Sequence, residues 1–297
     1  MAGLKSREKS VGGRDIGVDG TYVRVARPGD LPDVLRWAMH SPGAFVAVSP
    51  ERLADHFRQA EVVVLNREAV ARGFMAAQVR PFHVAVITAA SVEPPTQAAA
   101  CAGLLLDELE RVLGRQGLQA LAQVGYAPWL ADVLRSHGFV SREQIVTFEW
   151  LRQPVTICGE EAVQVSAAAA EDLPHLLKMD KALFGPVWHK GPLEFSASFE
   201  RSCLFTVARF AGQIVGYQWC DRTGNHAHLT RLAVATDWQN RGIGSRLLTE
   251  TLKQLTEAGV ALVTLNTQSG NEQAQRLYLR HGFRPLQDKV DLLWKDL

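Results

Sequence analysis

Cysteine is scarce in this chain, and its placement argues against a metal site. The 297 residues include four cysteines, Cys101, Cys158, Cys203 and Cys220, which are spread widely and form no CxxC pair. None of them lies at a spacing from histidine that suits zinc. We therefore expect reduced, mostly structural thiols and no bound metal.

Net charge and long apolar runs are also missing. The 32 basic and 31 acidic residues leave a formal charge of +1, which gives no field to attract nucleic acid or an anionic membrane. The longest apolar runs, such as AAACAGLLL, are too short to span a bilayer, and residues 1–20 lack the apolar middle of a signal peptide. We expect a cytoplasmic protein with a flexible tail at 1–20 and a small-molecule function, without nucleic-acid or membrane partners.

What the chain does contain is an internal duplication. Asp30-Leu31-Pro32 recurs 142 positions later as Asp172-Leu173-Pro174. After a slip of two residues, His137-Gly138-Phe139 recurs 144 positions later as His281-Gly282-Phe283. A period this long indicates duplicated domains rather than a solenoid.

Each half has the pattern of a mixed α/β domain. In the second half, CLFTVARF and QIVGYQWCD are β-branched runs separated by Ala-Gly, which is a hairpin signal. Residues 243–258 carry the apolar stripe of a helix that faces a core. We predict an α/β (α+β) fold of two tandem mixed-sheet α/β sandwich domains, at residues 21–152 and 162–297, joined by a linker at 153–161.

A glycine-containing turn precedes that helix. The order of strand, then Gln239 to Gly244, then helix is typical of an anion site, because free backbone N–H groups and the positive end of the helix dipole meet there. Gly242 and Gly244 leave room for phosphate oxygens, and Arg241 adds positive charge. The dinucleotide sequence GxGxxG and the Walker sequence GK[ST] are both absent, which excludes those two nucleotide-binding classes.

Two motifs resemble those of the GNAT acetyltransferase superfamily. The segment Gln239 to Gly244, after a strand ending Leu232-Ala233-Val234, is similar to the superfamily's pyrophosphate motif. Asn271 opens a helix that bears Tyr278 and is followed by His281-Gly282-Phe283, which resembles the "N…A…LY…GF" signature. The two-domain arrangement resembles mycothiol synthase, and the second half resembles ribosomal-protein-alanine acetyltransferases. A tandem GNAT protein is therefore expected.

The resemblance implies acetyl-CoA as co-substrate and assigns residues to it. Leu232, Ala233 and Val234 would offer backbone groups to the pantetheine arm. Asn271 would bind near the pantetheine or cap its helix, and Tyr278 would donate a proton to the departing thiolate, since a thiolate is a matched acceptor for a phenol. The pyrophosphate would be held by Gln239, Asn240, Arg241, Gly242, Ile243, Gly244 and Ser245.

The resemblance leaves the general base open. Ribosomal-protein-alanine acetyltransferases carry a carboxylate twelve residues before the tyrosine, where this chain has Asn266. Histone acetyltransferases use a glutamate eleven residues before the motif glutamine, where this chain has His228. An imidazole with an ordinary pKa of about 6.5 suits that role, so His228 is our candidate base. The segment Phe184 to His189 either lines the acceptor pocket or forms a surface loop with one buried tryptophan.

The first half lacks the parts that this chemistry needs. Opposite Gln239 to Gly244 stands Gln97 to Ala102, with neither arginine nor glycine, and opposite Tyr278 stands Leu134. Leucine cannot donate a proton, and alanine methyl groups would crowd a phosphate. We predict that the first half is a degenerate GNAT domain that packs against the active one.

We therefore predict an N-acetyltransferase that moves an acetyl group from acetyl-CoA directly to a primary amine of a small molecule or peptide. The protein would be a monomer or homodimer. One alternative is a non-catalytic acyl-CoA-binding or regulatory module, against which the retention of Tyr278 and Asn271 argues. Another is a transferase that uses a longer acyl-CoA.

Overall fold

The computed structural model describes residues 14–15, 20–48, 50–68, 70–93 and 98–297. Of the predicted tail at 1–20, only residues 14, 15 and 20 lie within these ranges, and Gln97 lies outside them. The chain divides into two compact units. The first unit comprises the described residues of 1–79, 83–141 and 293–297, and the second comprises 80–82 and 142–292.

The first unit is a mixed sheet with helices on both faces. Its strands are β1 (Arg14–Asp15), β2 (Thr21–Val25), β3 (Phe45–Val46), β4 (Glu61–Arg67), β5 (Val70–Arg80), β6 (Val84–Val92) and β7 (Ala120–Val124). Its helices are α1 (Leu31–His40), α2 (Leu53–Gln59), α3 (Ala98–Arg115) and α4 (Pro128–Ser136). The main path is β1-β2-β4-β5-β6-β7, and only the β6–β7 pair is parallel among those with a described register. Helices α3 and α4 pack on one face, and α1 and α2 pack on the other.

The second unit repeats this order. Its strands are β8 (Val140–Leu151), β9 (Gln164–Ala167), β10 (Leu204–Phe210), β11 (Gln213–Thr223), β12 (His226–Val234), β13 (Leu262–Gln268) and β14 (Arg284–Asp296). Its helices are α5 (Leu173–Leu183), α6 (Pro192–Arg201), α7 (Ile243–Glu257) and α8 (Glu272–Arg280). The path β8-β13-β12-β11-β10-β9 has a parallel β12–β13 pair. The mixed α/β fold class is confirmed.

Local details of the repeat are preserved. In the first unit the backbone N–H of Arg27 donates to the Asp30 carboxylate at 2.6 Å, and in the second the N–H of Ala169 donates to Asp172 at 2.9 Å. Each bond closes the turn that leads into a helix, so the repeated Asp-Leu-Pro sequence performs the same capping in both halves. The predicted hairpin also forms, with Ala211 and Gly212 both at positive φ between β10 and β11.

Strand β8 joins the sheet of the second unit although it ends the first sequence repeat. It pairs antiparallel with β13 from Leu262↔Leu151 to Gln268↔Ile145. At the other end of the chain, Leu293 lies in the core of the first unit, and the Leu297 N–H donates to the Gln119 carbonyl at 2.9 Å. The compact units therefore divide the chain at different residues from the predicted linker at 153–161.

Strand β12 contains a β-bulge at Thr230. Its register with β11 runs Cys220↔Leu229 and then Trp219↔Arg231, so Thr230 has no partner in β11. An extra residue turns the side chains that follow it to the face opposite to the one simple alternation predicts.

The bulge decides which side chains face the helices. Before it, Leu229 packs in the cluster that contains Leu248 of α7. After it, Leu232 packs against the cluster that contains Leu247 of α7, whereas Ala233 packs in the cluster of α5 and α6. His228, which alternates with Leu229, and Arg231, which alternates with Leu232, consequently share the face on which α5 and α6 lie.

A partly buried ion pair in the second unit provides a test of acid stability. Glu194 of α6 accepts hydrogen bonds from Arg80 and, at 2.7 Å, from Lys190. Although burial opposes ionisation, the two cations hold the pKa of Glu194 at about 2, well below its ordinary value of 4.5. A carboxyl group whose pKa is lowered by folding stabilises the fold above its ordinary pKa and loses that contribution as the pH falls.

We expect the free energy of unfolding to fall between pH 4.5 and pH 2 by up to about 3 kcal/mol more in the wild type than in Glu194→Gln. Urea unfolding at stepped pH measures the difference. Glu200→Gln, an exposed position on the same helix, serves as the matched control. Parallel pH curves for the wild type and Glu194→Gln would contradict the expectation.

No helix within the described ranges is long and apolar enough to cross a membrane.

Candidate active site

A gap opens between two parallel strands of the second unit. Strands β12 and β13 are paired from His226↔Leu262 to Leu229↔Leu265 and no further. Beyond that point β13 remains paired with β8, and β12 remains paired with β11. No strand of the described chain pairs with residues 230–234 on the β13 side. An extended ligand can therefore enter there as an added strand.

The backbone groups that face this gap follow from the antiparallel pairing of β11 and β12. The Ala235 N–H donates to the Val215 carbonyl at 2.9 Å. Because backbone groups alternate in direction along a strand, the N–H and carbonyl of Ala233 point toward β11, and those of Leu232 and Val234 point toward the gap. Gln239 closes part of that edge, because its side chain donates to the Val234 carbonyl at 3.0 Å. Among the described residues, none bonds the Leu232 N–H and carbonyl or the Val234 N–H on this edge.

The first turn of α7 presents unpaired backbone amides. The first N–H group of α7 that has an acceptor is that of Arg246, which donates to the Gly242 carbonyl at 3.0 Å. No side chain caps the helix. Within the described chain, the N–H groups of residues 241–245 have no acceptor. Arg241 is exposed beside them, with its guanidinium 4.9 Å from the centre of the Trp238 ring. The predicted anion site is therefore open in geometry and positive in charge.

The packing of the protein itself leaves little room for a side chain at either glycine of the turn. Gly242 has a φ of +80°, and a Cβ there would lie 3.1 Å from the backbone nitrogen of Glu160. A Cβ on Gly244 would lie 3.3 Å from Leu277 of α8 and 3.9 Å from Leu232 of β12. The start of α7, strand β12 and helix α8 thus converge at Gly244, and the role of this glycine in leaving room for a phosphate stays a prediction.

A short segment before β9 packs on the same turn. Gly159, at a φ of +109°, is so close that a Cβ would lie 2.4 Å from the Gly242 carbonyl oxygen and 2.6 Å from the Arg246 nitrogen. The adjacent Cys158 N–H donates to the hydroxyl of Thr249 on α7 at 3.3 Å. The sequence analysis assigned Gly159 only to a linker, although a glycine in a fixed turn is a signal of close backbone approach.

Helix α8 is held against the turn by two hydrogen bonds. Gln273 donates to the side chain of Asn240, which has a φ of +61°, at 3.0 Å. His281, directly after the helix, is hydrogen-bonded through Nε2 to the Ser245 hydroxyl at 3.0 Å. Asn271 caps the helix, since its Oδ1 accepts from the Ala274 N–H at 3.1 Å. No described residue accepts a hydrogen bond from its amide N–H groups.

Tyr278 combines a buried ring with an unbonded hydroxyl. The residue is 7% exposed, and its ring packs 5.9 Å from that of Phe148 and 5.8 Å from that of Phe283. No hydrogen bond joins its hydroxyl to any described residue, and this oxygen is not among the fully enclosed ones. Burial raises the pKa of Tyr278 to about 12, so the phenol stays protonated at neutral pH.

His228 lies at the mouth of the gap, one residue before the last β12–β13 pair. It belongs to a row of neighbouring residues across four strands, Asp221↔His228↔Thr264↔Glu149. Its Nδ1 is hydrogen-bonded to the Thr264 hydroxyl at 2.9 Å, and no described residue bonds its Nε2. Burial lowers the pKa of His228, while Asp221 opposes that shift. The imidazole is therefore neutral at pH 7 and able to accept a proton.

A buried polar network holds the segment Phe184 to His189 on the same sheet face. Asp180 is fully buried and accepts from the Tyr217 hydroxyl at 2.6 Å and from the Arg231 Nε at 3.0 Å. Arg231 also donates to the Trp188 carbonyl and stacks 4.0 Å from the centre of the Phe184 ring. The sequence analysis missed Asp180 and Arg231, because the bulge that turns Arg231 inward has no evident sequence signal.

In the first unit, the corresponding gap is filled by the chain itself. The parallel β6–β7 pairing likewise ends after four residues, at Ile87↔Gln123. There, however, β3 pairs with β6 through Phe45↔Ala90 and Val46↔Ala89. Because β5 occupies the other edge of β6, β3 lies where an added ligand strand would lie. The Phe45 ring also presses on Gly125, where a Cβ would lie 2.5 Å from it.

Within the described residues, no group of three or more His, Cys, Asp or Glu side chains could hold a metal ion.

Comparisons with known proteins agree with this geometry. Residues 173–283 match the model of the Acetyltransferase (GNAT) family. Over 88 residues, the chain is 34% identical to mycothiol acetyltransferase of Clavibacter sepedonicus, a match that covers 30% of this chain and 29% of that protein. Over 124 residues, it is 25% identical to the [ribosomal protein bS18]-alanine N-acetyltransferase of Haemophilus ducreyi, covering 41% of this chain and 83% of that protein.

A solved structure extends the likeness to both units. A tandem GNAT protein from the clavulanic acid biosynthesis pathway has a TM-score of 0.66 at 13% identity, covering 93% of this chain and 98% of that one. At this identity the likeness shows the fold alone. Residues 173–283 are thus similar to the GNAT acetyltransferase family, and the chain has the tandem GNAT fold.

Proposed function

We propose that the second unit transfers an acetyl group from acetyl-CoA directly to a primary amine, without an acyl-enzyme intermediate. The observation that carries the proposal is the unpaired edge of β12 beside the unpaired amides of α7, within the segment that matches the family. A strand edge and a helix N-terminus together suit a ligand with an amide-bearing arm and a diphosphate.

Each part of the site fits one part of acetyl-CoA. The Leu232 and Val234 backbone groups would hydrogen-bond the two amides of the pantetheine arm, and the free Asn271 amide would reach the same arm. The N–H groups of residues 241–245 would bind the diphosphate oxygens, with Arg241 adding charge. Gln239, Asn240 and Ser245 would keep the turn in place through the hydrogen bonds described above.

The chemistry divides between two residues. Acetyl-CoA supplies an activated thioester, whose carbonyl carbon is attacked by the nitrogen lone pair of the amine. Nε2 of His228 would accept the proton that the amine nitrogen loses as the C–N bond forms. The Tyr278 hydroxyl would donate its proton to sulfur as the C–S bond breaks, so that the products are the acetamide and the free CoA thiol.

The first unit would bind no acyl-CoA, since β3 fills its gap and Leu134 is fully buried at the position of Tyr278. We therefore expect one acetyl-CoA site for each chain. The acceptor would be a small or peptide amine, as the names of the two relatives suggest, and residues Phe184 to His189 would contact it.

Two measurements on the full chain test the proposal. Calorimetry with acetyl-CoA should give one site per chain. A thiol-release assay with glucosamine, spermidine and an alanine-initiated peptide should identify turnover above the rate without amine. Binding without release for any amine would favour a non-catalytic acyl-CoA module, and faster release from a longer acyl-CoA would favour a different acyl donor.

A further inference from the structure

Two histidines share one hydroxyl group on the sheet face of the candidate base. Nδ1 of His228 and Nε2 of His226 each lie 2.9 Å from the Oγ1 of Thr264. The three side chains belong to neighbouring positions of the parallel β12–β13 pair, where His228 is directly opposite Thr264. The Thr264 hydroxyl therefore links His228 to His226 in a continuous chain of hydrogen bonds.

A hydroxyl between two imidazole nitrogens imposes a direction on both rings. The Thr264 hydroxyl has one proton to donate, so it donates to one nitrogen and accepts an N–H from the other. When its proton passes to the ring on one side, it accepts a proton from the ring on the other side. Such a bridge transfers a proton between the two rings without a net change in the threonine.

The two ends of this hydrogen-bond chain, Nε2 of His228 and Nδ1 of His226, have different surroundings. No described residue bonds Nε2 of His228, a residue that lies one position before the end of the β12–β13 pairing. At the other end, Nδ1 of His226 has no partner among the described residues, and His226, the first residue of β12, is partly exposed. One end can therefore meet a reacting amine, and the other can exchange with water.

Two carboxylates beside the hydrogen-bonded histidines favour a transient positive charge on their rings. Asp221 lies beside His228 in β11 and accepts a hydrogen bond from Thr230 at 2.9 Å. Glu149 lies beside Thr264 in β8. Opposite charges at such positions stabilise an imidazolium while a proton is in transit.

We propose that Thr264 and His226 form a proton relay that returns His228 to its neutral state by carrying the acceptor's proton to solvent. The proposal rests on the proposed function, in which His228 accepts that proton. It makes Thr264 and His226 relay residues, which act through His228 and do not touch the substrate.

The proton balance of one turnover is closed. Nε2 of His228 gains the amine proton, and Nδ1–H of His228 donates its proton to Thr264 Oγ1. The threonine proton moves to Nε2 of His226, and Nδ1–H of His226 loses its proton to water. Both rings are then neutral with exchanged tautomers, and rotation of the Thr264 hydroxyl with proton exchange through water restores the starting state.

Substitution of Thr264 tests the relay with a matched control. Thr264→Val keeps the shape of the side chain and removes the hydroxyl, whereas Thr264→Ser keeps the hydroxyl. With the fastest of the three amines named above at saturation, we expect Thr264→Val to lower kcat at least about tenfold and Thr264→Ser to stay within about twofold. We expect His226→Gln to resemble Thr264→Val, with KM for acetyl-CoA unchanged in all three variants.

Two readouts separate a relay from a purely structural role. A proton inventory in mixtures of H2O and D2O should be curved in the wild type, with several protons moving, and linear in Thr264→Val. Without any ligand, the ring ¹⁵N signals of both His226 and His228 should shift in Thr264→Val and remain near the wild-type values in Thr264→Ser.

The outcomes distinguish the relay from the function on which it rests. Turnover in Thr264→Val equal to that of Thr264→Ser, while His228→Gln is inactive, would overturn the relay and leave His228 as base. Full turnover in His228→Gln would overturn both the base and the relay. Unmoved ring signals of both histidines in Thr264→Val would overturn the bridge independently of any acceptor amine.

Discussion

Tyr278→Phe is expected to lower the turnover of acetyl-CoA about 10² to 10³-fold while leaving the affinity for acetyl-CoA within about twofold. The substitution removes only a hydroxyl that bonds no described residue, and the ring keeps its packing against Phe148 and Phe283. Since burial raises the pKa of Tyr278 to about 12, the wild-type phenol stays protonated throughout neutral and mildly basic pH. Without it, the leaving thiolate must take its proton from water.

Thiol release and calorimetry on the same preparation measure the two quantities. Tyr126→Phe makes the same chemical change at a tyrosine that is 79% exposed in the first unit, and should leave both unchanged. The melting temperature of Tyr278→Phe should remain close to that of the wild type. Equal turnover in Tyr278→Phe and the wild type would eliminate Tyr278 as the acid, and would favour a non-catalytic module if the wild type is also inactive.

Gly159→Ala is expected to lower the free energy of unfolding by about 2 to 4 kcal/mol and to weaken acetyl-CoA binding at least about tenfold. A methyl group there would lie 2.4 Å from the Gly242 carbonyl oxygen and 2.6 Å from the Arg246 nitrogen, so backbone must move. The φ of +109° adds strain for any residue with a Cβ. Both atoms belong to the first turn of α7, where the amides of residues 241–245 would bind the diphosphate.

Chemical denaturation and calorimetry measure these effects. Gly114→Ala is the matched control, because a Cβ at Gly114 meets no atom within 4 Å and its φ is ordinary for a helix. If Gly159→Ala lost stability but bound acetyl-CoA with wild-type affinity, the first turn of α7 would not be the diphosphate site.

The parts of the site that are local in sequence could be predicted. Residues Gln239 to Gly244 lead directly from a strand into a helix, and the exposed backbone of such a turn follows from its glycines. The apolar stripe of α7 and the cap at Asn271 also follow from short-range patterns. Tyr278 could be placed on α8 from the same short-range pattern, while its role as proton donor stays a prediction.

The parts that depend on distant pairing could not be predicted. The bulge at Thr230 adds one residue to a strand, and nothing in the sequence of β12 marks it. Thr264 contacts His228 only because two strands of separate segments align in one register. Strand β3, which fills the gap in the first unit, has a local signal in the apolar run around Phe45. Its position in the β6–β7 gap is decided by long-range pairing.

The pairing of β8 with β13 has a consequence for how such a duplicated protein can be divided. The boundary between the repeated sequences and the boundary between the folded units differ by one strand, so a cut at the repeat boundary would strip β13 of a neighbour along Leu262 to Gln268. An unprotected strand edge invites association with other chains. A fragment that starts at the predicted linker is therefore expected to self-associate through that exposed edge, so the second repeat cannot be isolated cleanly by a cut at this boundary.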